Sequence, residues 1–167
     1  MTEDAACAVA HGEVQVDAGD RALVAVFASP VAEHLLRYGR DLGFRVSLVE
    51  PDPERAAAAG GDAVTEVPEL GPGVDVVVTD HHREELGPVL QDVLKRDVRW
   101  IGVMGNPRHE GPHVAALREL GVPDAEIARV HRPIGLNIGS RTPPEIAIAT
   151  LAGLLADRNG KPGGFEF

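Results

Sequence analysis

The stretch Ala22-Leu23-Val24-Ala25-Val26-Phe27, followed closely by Ser29-Pro30, decides the fold of this chain. A continuous apolar run of this length is typical of a strand that is buried on both faces of a parallel sheet. Serine is a common N-cap, and proline suits the first position of a helix. Apolar side chains then recur every three or four residues up to Leu42, which predicts a helix that ends at Gly43.

The same alternation of strand and helix continues along the chain. Further strands are predicted at residues 44–49, 63–65, 74–79 and 99–104. Helices are predicted between and after them, at about 53–60, 86–94, 114–120 and 146–155. This pattern predicts an α/β fold, a doubly wound parallel sheet in three layers with a strand order of about 3-2-1-4-5. Ligands are expected at the carboxyl ends of its strands.

We expect residues 21–160 to form one domain, with a loosely ordered lead-in at 1–20 and a short tail at 161–167. A length of 167 residues suits a single domain with one sizeable core. No internal repeat and no linker divides the sequence, so the function is sought within one unit.

Charge and composition argue against several classes of function. The formal net charge is −10, and only 4% of the residues are aromatic, which does not suit a nucleic-acid partner. No apolar run approaches the roughly 20 residues of a membrane span, so we expect no membrane partner. The acidic start differs from a secretory signal, and we expect a cytoplasmic location. A single cysteine, Cys7, leaves neither an internal disulfide nor a CxxC metal site.

The first turn between strand and helix reads Ala28-Ser29-Pro30-Val31-Ala32 and lacks the glycines of a dinucleotide-binding turn. Pro30 also removes a backbone amide that would hold a pyrophosphate. Glu50, at the end of the second strand, is placed either to accept from a ribose hydroxyl or to remain an ordinary solvated acid. NAD(P) is therefore disfavoured as a cofactor, while Ser29 at a helix N-terminus remains a candidate for binding an anion.

The segment His109-Glu110-Gly111-Pro112-His113 matches the HExxH string of zinc proteases. That motif needs one unbroken helix, and Gly111-Pro112 interrupts it. Asn106-Pro107 is interpreted as the start of a helix that Pro112 kinks or restarts. We therefore expect no metal here and a mostly solvated pair of histidines.

Two further stretches carry candidate chemistry. Asp80-His81-His82 follows a buried strand, where it either contacts ligand or caps the next helix. In the stretch 131–145, Thr142 and Glu145 form a capping box, so Ser140 and Arg141 stand directly before a helix N-terminus. Together with two flexible glycines, this arrangement predicts either anion recognition or a purely structural loop.

The motif H-x-P-I-G-L-x-I-G-x-x-T-P-x-E-I-A at 131–147, with I-G-V-M-G at 101–105, resembles the XdhC/CoxI family of molybdenum-hydroxylase maturation factors. Residues 44–51 are similar to the family segment "LGFxVxxxDP", with Glu50 where the family usually has Asp. The similarity runs from about 21 to 160 and covers the C-terminal, Rossmann-like half of that family. No N-terminal XdhC domain is recognised.

The resemblance implies a protein that binds molybdenum cofactor, assists its sulfuration with a cysteine desulfurase, and delivers it to xanthine dehydrogenase or a related molybdenum hydroxylase. The chain is then either a free-standing half that works with a second subunit carrying the N-terminal XdhC domain, or a diverged binding protein. By position, the implied cofactor contacts are Glu50, Asp80, His81, Gly102, Gly105, Asn106, His131, Gly135, Gly139, Arg141 and Thr142. Ser29 and Ser140 complete the candidate set because each adjoins a helix N-terminus.

We therefore expect an accessory factor for a molybdenum hydroxylase rather than an enzyme. One alternative is an oxidoreductase that uses a nicotinamide nucleotide, and another is an interaction subunit whose pocket is vestigial. The helix at 145–156 is apolar nearly all round and contains small residues, so its outer face must be covered. Either another part of this chain covers it, such as the first 20 residues or the tail from Gly160 to Phe167, or a second copy does, and we expect a twofold-symmetric homodimer.

Overall fold

The computed structural model describes residues 3–15, 17 and 19–166 of the chain. Strands and helices alternate along most of it. In chain order the elements are α1 (Glu3–Ala10), β1 (Ala22–Val26), α2 (Pro30–Asp41), β2 (Arg45–Val49), α3 (Pro53–Ala59), β3 (Val74–Val78), α4 (Leu86–Leu94), β4 (Trp100–Val103), α5 (Pro112–Glu119), α6 (Asp124–Ile127), β5 (Val130–His131) and α7 (Pro143–Arg158).

The strands form one five-stranded parallel sheet in the order β2-β1-β3-β4-β5. The predicted α/β class and the order of the shared strands are confirmed. The predicted strand at 63–65 is reduced to a single bridge between Val64 and Val49 at the outer edge of β2. At the opposite edge, β5 adds a strand of two residues, which is too short to show any hydrophobic alternation.

The central strands are apolar because helices cover both faces of the sheet. Every residue of β3 is buried, and so are four of the five residues of β1. One face packs against α4, α5 and α6, while the other packs against α2 and α7. The chain is therefore built in three layers, as its sequence predicts.

Local capping explains where α2 begins and ends. The hydroxyl of Ser29 accepts from the amide of Ala32 at 3.0 Å, and Pro30 occupies the first turn. Gly43 follows the helix with a φ of 82°, a conformation that glycine adopts without strain. The predicted boundaries of this helix are confirmed to within about two residues.

Two local predictions need correction. Residues 107–109 form a turn rather than a helix, because the side chain of Asn106 accepts from the amide of Arg108 at 2.9 Å and closes a local turn. The helix begins only at Pro112. Within residues 1–20, described above as a loosely ordered lead-in, the structure contains the helix α1.

The outer side of α7 is covered in large part by the chain itself. The amide of Leu136 donates to the carbonyl of Ala149 at 3.0 Å, which lays the loop at 133–139 along the helix. Gly135 and Gly153 approach so closely that a Cβ at Gly153 would lie 3.0 Å from the Cα of Gly135. Ile148 remains 53% exposed. None of the described helices is long and apolar enough to cross a membrane.

Candidate functional site

The carboxyl ends of the parallel strands bring several candidate residues to one edge of the sheet, which we call the carboxyl edge. The residues that follow β1, β2, β3 and β4 all lie there, including Ser29, Glu50, Asp80 and Gly105. From β1 the chain extends the sheet to β2 on one side, and from β3 it extends the sheet to β4 and β5 on the other side. The strand order therefore reverses between β1 and β3. In doubly wound folds a ligand crevice forms at this switch point.

The N-terminus of α7 lies at the same edge. At the other end of α7, its last residue Arg158 donates to the carbonyl of Gly73 and to the side chain of Asp75, which lie at the amino end of β3. A helix of 16 residues spans about 24 Å, which is longer than a strand of this sheet. The helix therefore runs back along the sheet, and Thr142 lies at the carboxyl edge.

Glu50 is fully buried, and each of its carboxylate oxygens accepts two hydrogen bonds. Oε2 accepts from the amide of Ala28 at 2.8 Å, and Oε1 accepts from the amide of Asp52 at 3.0 Å. Arg83 donates to both oxygens, at 3.0 and 2.7 Å. Burial raises the pKa of Glu50, but these hydrogen bonds outweigh it and hold the pKa below its ordinary value. The carboxylate is charged and saturated with donors.

Arg83 is not among the residues that the sequence singles out, yet it bonds to Glu50 at this switch point. Its guanidinium lies over the ring of Phe27, with the carbon 4.6 Å from the ring centroid. It also pairs with Glu85 at 3.0 Å, and only 9% of its side chain is exposed. Its hydrogen bonds to Glu50 raise its pKa further above the ordinary value. The side chain is fixed on three sides.

The first turn holds its shape through a left-handed residue and a pair of hydroxyls. Phe27 has a φ of 73°, which costs a non-glycine residue about 1–2 kcal/mol. Thr79 donates to the carbonyl of Phe27 at 2.9 Å, and the hydroxyl of Ser29 lies 2.9 Å from that of Thr79. Ser29 is thus engaged as the N-cap of α2 and as a partner of Thr79.

Asp80, His81 and His82 do not cap the next helix, whose N-cap is Glu85. Asp80 instead accepts from the amide of His82 at 2.9 Å. The two histidine rings lie 4.0 Å apart. Burial, followed by the charges of His82 and Arg132, lowers the pKa of His81, so its ring is neutral at pH 7 and has both a donor and an acceptor nitrogen.

Arg132, also absent from the candidate set, ties the loop after β4 to the end of β5. It donates to the carbonyl of His109 at 2.6 Å and to that of Asn106 at 3.0 Å. A Cβ at Gly105 would overlap its guanidinium, so a larger residue there would have to displace the end of the arginine side chain. Gly105 and Asn106 therefore lie close to the positive charge of Arg132, which also lowers the pKa of His81.

Gly102 and His131 have a packing role. The ring of Trp100 lies across Gly102, where any side chain would collide with it. His131 stacks on the same ring, with centroids 5.3 Å apart and planes 7° apart. These two candidates flank an indole ring rather than the crevice between β1 and β3.

The stretch 135–142 places its glycines against α7 and its polar residues at the helix N-terminus. Gly135, with a φ of 84°, faces the backbone of Ala149, while Gly139, with a φ of 70°, faces open space. The predicted capping box is present. Glu145 accepts from the amides of Arg141 and Thr142 at 2.7 and 3.1 Å. A carboxylate of the chain itself therefore already occupies these amides.

The HExxH segment is not a helical pair of histidines. His109 precedes α5, whereas His113 lies within it. The expectation that both are solvated is wrong for His113, which is 5% exposed and packs against Gly111. Its Nδ1 has no hydrogen-bond partner among the described residues. Within residues 3–15, 17 and 19–166, no group of three or more His, Cys, Asp or Glu side chains could hold a metal ion.

Residues 23–154 match the family described as the XdhC Rossmann domain. The uncharacterized protein YqeB of Escherichia coli (strain K12) is 32% identical over 117 residues, which is 70% of this chain and 21% of YqeB. A crystal structure described as a xanthine dehydrogenase from Bacillus halodurans has a TM-score of 0.67 at 20% identity, covering 84% of this chain and 45% of that one.

The structural likeness independently supports the Rossmann-like fold. The chain spans about a fifth of the length of YqeB and less than half of the Bacillus halodurans protein. The family match covers most of the chain, from the second residue of β1 to near the end of α7. This chain belongs to the family of the XdhC Rossmann domain.

Proposed function

We propose that this chain is an accessory factor that binds molybdenum cofactor at the carboxyl edge and assists its maturation and insertion into a molybdenum hydroxylase. Membership of the XdhC Rossmann domain family and the likeness to a structure described as a xanthine dehydrogenase support the choice of client. The chain itself binds and positions, and the redox chemistry belongs to the cofactor once it is in the client.

The availability of donors at the carboxyl edge carries this proposal. The carboxylates of Glu50, Asp80 and Glu145 each accept from backbone amides, and Glu50 is also paired with a guanidinium. The guanidinium groups of Arg108 and Arg141, by contrast, make no side-chain hydrogen bond to the described part of the chain. With these three acids engaged and two guanidinium groups available, the edge suits an anionic, phosphate-bearing ligand.

Arg141 is the residue that we expect to bind the phosphate. Because Glu145 already occupies the amides before α7, the contact falls to the guanidinium, which binds phosphate with two parallel hydrogen bonds. His81 contacts the backbone of Met104 through a hydrogen bond, which leaves its other ring nitrogen available to a pterin ring. Asn106 lies on the same side, close to Arg132.

The family also suggests partners other than the client. A separate subunit with an N-terminal XdhC domain is one such partner. A cysteine desulfurase is the further partner that cofactor sulfuration would need. The geometry supports neither of the two alternatives. The carboxylate of Glu50 is saturated with donors, which does not favour a nicotinamide nucleotide. The guanidinium of Arg141 is available to a ligand, which does not favour a vestigial pocket.

The test is anaerobic co-purification with a molybdenum hydroxylase, followed by a fluorescence assay for the oxidised pterin. We expect Arg141→Ala to retain roughly tenfold less pterin or lower still, since it loses a charge-assisted contact. Arg40→Ala, at the C-terminal end of α2 and hence at the opposite edge, is the matched control. Equal pterin in wild type, Arg141→Ala and Arg40→Ala, or no pterin in any of them, would overturn the proposal.

A further inference from the structure

We infer that Arg83 is a specificity-determining residue whose guanidinium fills the position where this fold receives the ribose of a nucleotide, and thereby excludes nucleotides from the crevice. In dinucleotide-binding proteins of this architecture, an acid at the end of the second strand accepts from the ribose hydroxyls. Glu50 stands at that position. The inference does not depend on which cofactor the chain carries.

Glu50 has no remaining capacity to bind a ribose. A carboxylate offers about four lone-pair sites. Oε1 accepts from Asp52 and Arg83, and Oε2 accepts from Ala28 and Arg83, all at 2.7 to 3.0 Å. A hydroxyl could bond to Glu50 only after one of these donors had left.

Arg83 is not readily displaced by a ligand. The Glu50 side chain is 0% exposed and that of Arg83 only 9%. Moving the guanidinium away would leave a buried carboxylate without its counter-charge, which is strongly unfavourable. It would also break the contact with the ring of Phe27 and the pair with Glu85. The crevice is therefore occupied by the chain itself.

The neighbouring turn is closed in the same way. The amide of Ala28, which would face a pyrophosphate, donates to Glu50 instead. Phe27 adopts the left-handed conformation, a role that glycine usually has at such turns, and its ring supports Arg83. The carboxylate of Glu50 and the ring of Phe27 thus both contact Arg83, and the amide of Ala28 is bound to the same carboxylate.

Binding of adenosine monophosphate, measured by calorimetry on the whole chain, tests the inference. Removing the guanidinium in Arg83→Ala frees Glu50 for the ribose hydroxyls, and one hydrogen bond to a charged group corresponds to an affinity gain of about tenfold or more. Arg108→Ala removes an exposed arginine at the same edge and is the matched control, which we expect to bind no more tightly than wild type. The double variant Glu50→Gln/Arg83→Ala should lose the gain.

Circular dichroism and thermal unfolding establish that each variant is folded. If Arg83→Ala does not fold, Arg83→Gln replaces it, because its amide can donate one hydrogen bond to Glu50 while the second lone-pair site that the guanidinium occupies becomes free for a ribose hydroxyl. The inference is overturned if the folded Arg83 variant binds the nucleotide no more tightly than wild type. It is equally overturned if Arg108→Ala shows the same gain, or if the gain persists without the carboxylate of Glu50.

Discussion

Arg158 donates from Nε to the carboxylate of Asp75 at 2.6 Å, although 83 residues separate the two in sequence. Asp75 is fully buried at the amino end of β3 and also accepts from Arg99. Arg99 in turn pairs with Asp157 at 2.6 Å. The last turn of α7 is thereby tied to two neighbouring strands, at the edge of the sheet opposite the candidate site.

We expect Asp75→Asn to lower the free energy of unfolding by about 3 kcal/mol, because it leaves two partly buried arginines without their carboxylate. Urea denaturation followed by circular dichroism measures this. Asp20→Asn is the matched control, since the pair of Asp20 with Arg45 is 83% and 73% exposed and should contribute at most about 1 kcal/mol. Similar losses in the two variants would contradict the structural role of Asp75.

The sequence predicts the sheet and its helices because their signals are local. The apolar run of β1, the cap at Ser29 and the capping box at Thr142 each lie within a few residues and are confirmed. The position of Glu50 is predicted in the same way, but its partner Arg83 lies 33 residues further on. No local pattern connects them, so the sequence leaves open whether the acid faces a ribose or solvent, and the structure shows a buried acid that is paired with an arginine.

Two other features could not be predicted from the sequence, each for its own physical reason. The segment after Asn106 has the residues of a helix start, yet the asparagine side chain closes a turn within the segment, which competes with helix formation. Gly102 and Gly105 match a family motif, but only the structure shows the indole ring and the guanidinium that lie against them. Short-range patterns thus predict elements well and contacts between them poorly.

Replacement of Gly135 should cost more than replacement of Gly139. Both have positive φ angles, so an alanine costs about 1–2 kcal/mol at either position. At Gly135 the added Cβ would also lie 3.1 Å from backbone atoms of Ala149, which adds about 1–3 kcal/mol. At Gly139 no heavy atom lies within 4 Å. Thermal unfolding of the two variants measures the difference, and a smaller loss for Gly135→Ala would argue against the close packing of this loop on α7.

The chain should lose stability on mild acidification because of His113. Burial, and secondarily the charge of Arg132, lowers the pKa of His113 below its ordinary 6.5. As the pH falls through 6.5 the unfolded chain takes up a proton that the folded chain does not, so the free energy of unfolding decreases by at most about 1.4 kcal/mol per pH unit. The free energy of unfolding is therefore highest above pH 6.5, and it declines until the pH reaches the lower pKa of His113 in the folded state.

Urea denaturation between about pH 7 and 5 measures this slope. His81, whose pKa is lowered in the same sense, adds its own share, so the variant His113→Gln should reduce the slope rather than abolish it. His109→Gln changes an exposed histidine nearby and is the control. An unchanged slope in His113→Gln would show that this histidine does not contribute.

We expect a twofold-symmetric dimer that covers the remaining exposed apolar residues of α7 and its loop. Ile148 is 53% exposed and Ile138 is 54% exposed. Light scattering should show a mass above that of the 17.6 kDa monomer, and Ile148→Glu should shift it to the monomer. Leu120→Glu, at a 41% exposed site on the other side of the sheet, should leave the mass unchanged. A wild-type monomer at micromolar concentration would rule out the dimer.

The packing of α2 against α7 has a consequence for synthesis on the ribosome. These helices cover the same face of the sheet, yet α2 ends at Asp41 and α7 begins at Pro143. A nascent chain therefore exposes the apolar side of its first Rossmann-like unit until nearly the whole domain has emerged, and contacts between distant segments form slowly. The emerging chain is thus most prone to aggregation and to chaperone capture just before its last helix arrives.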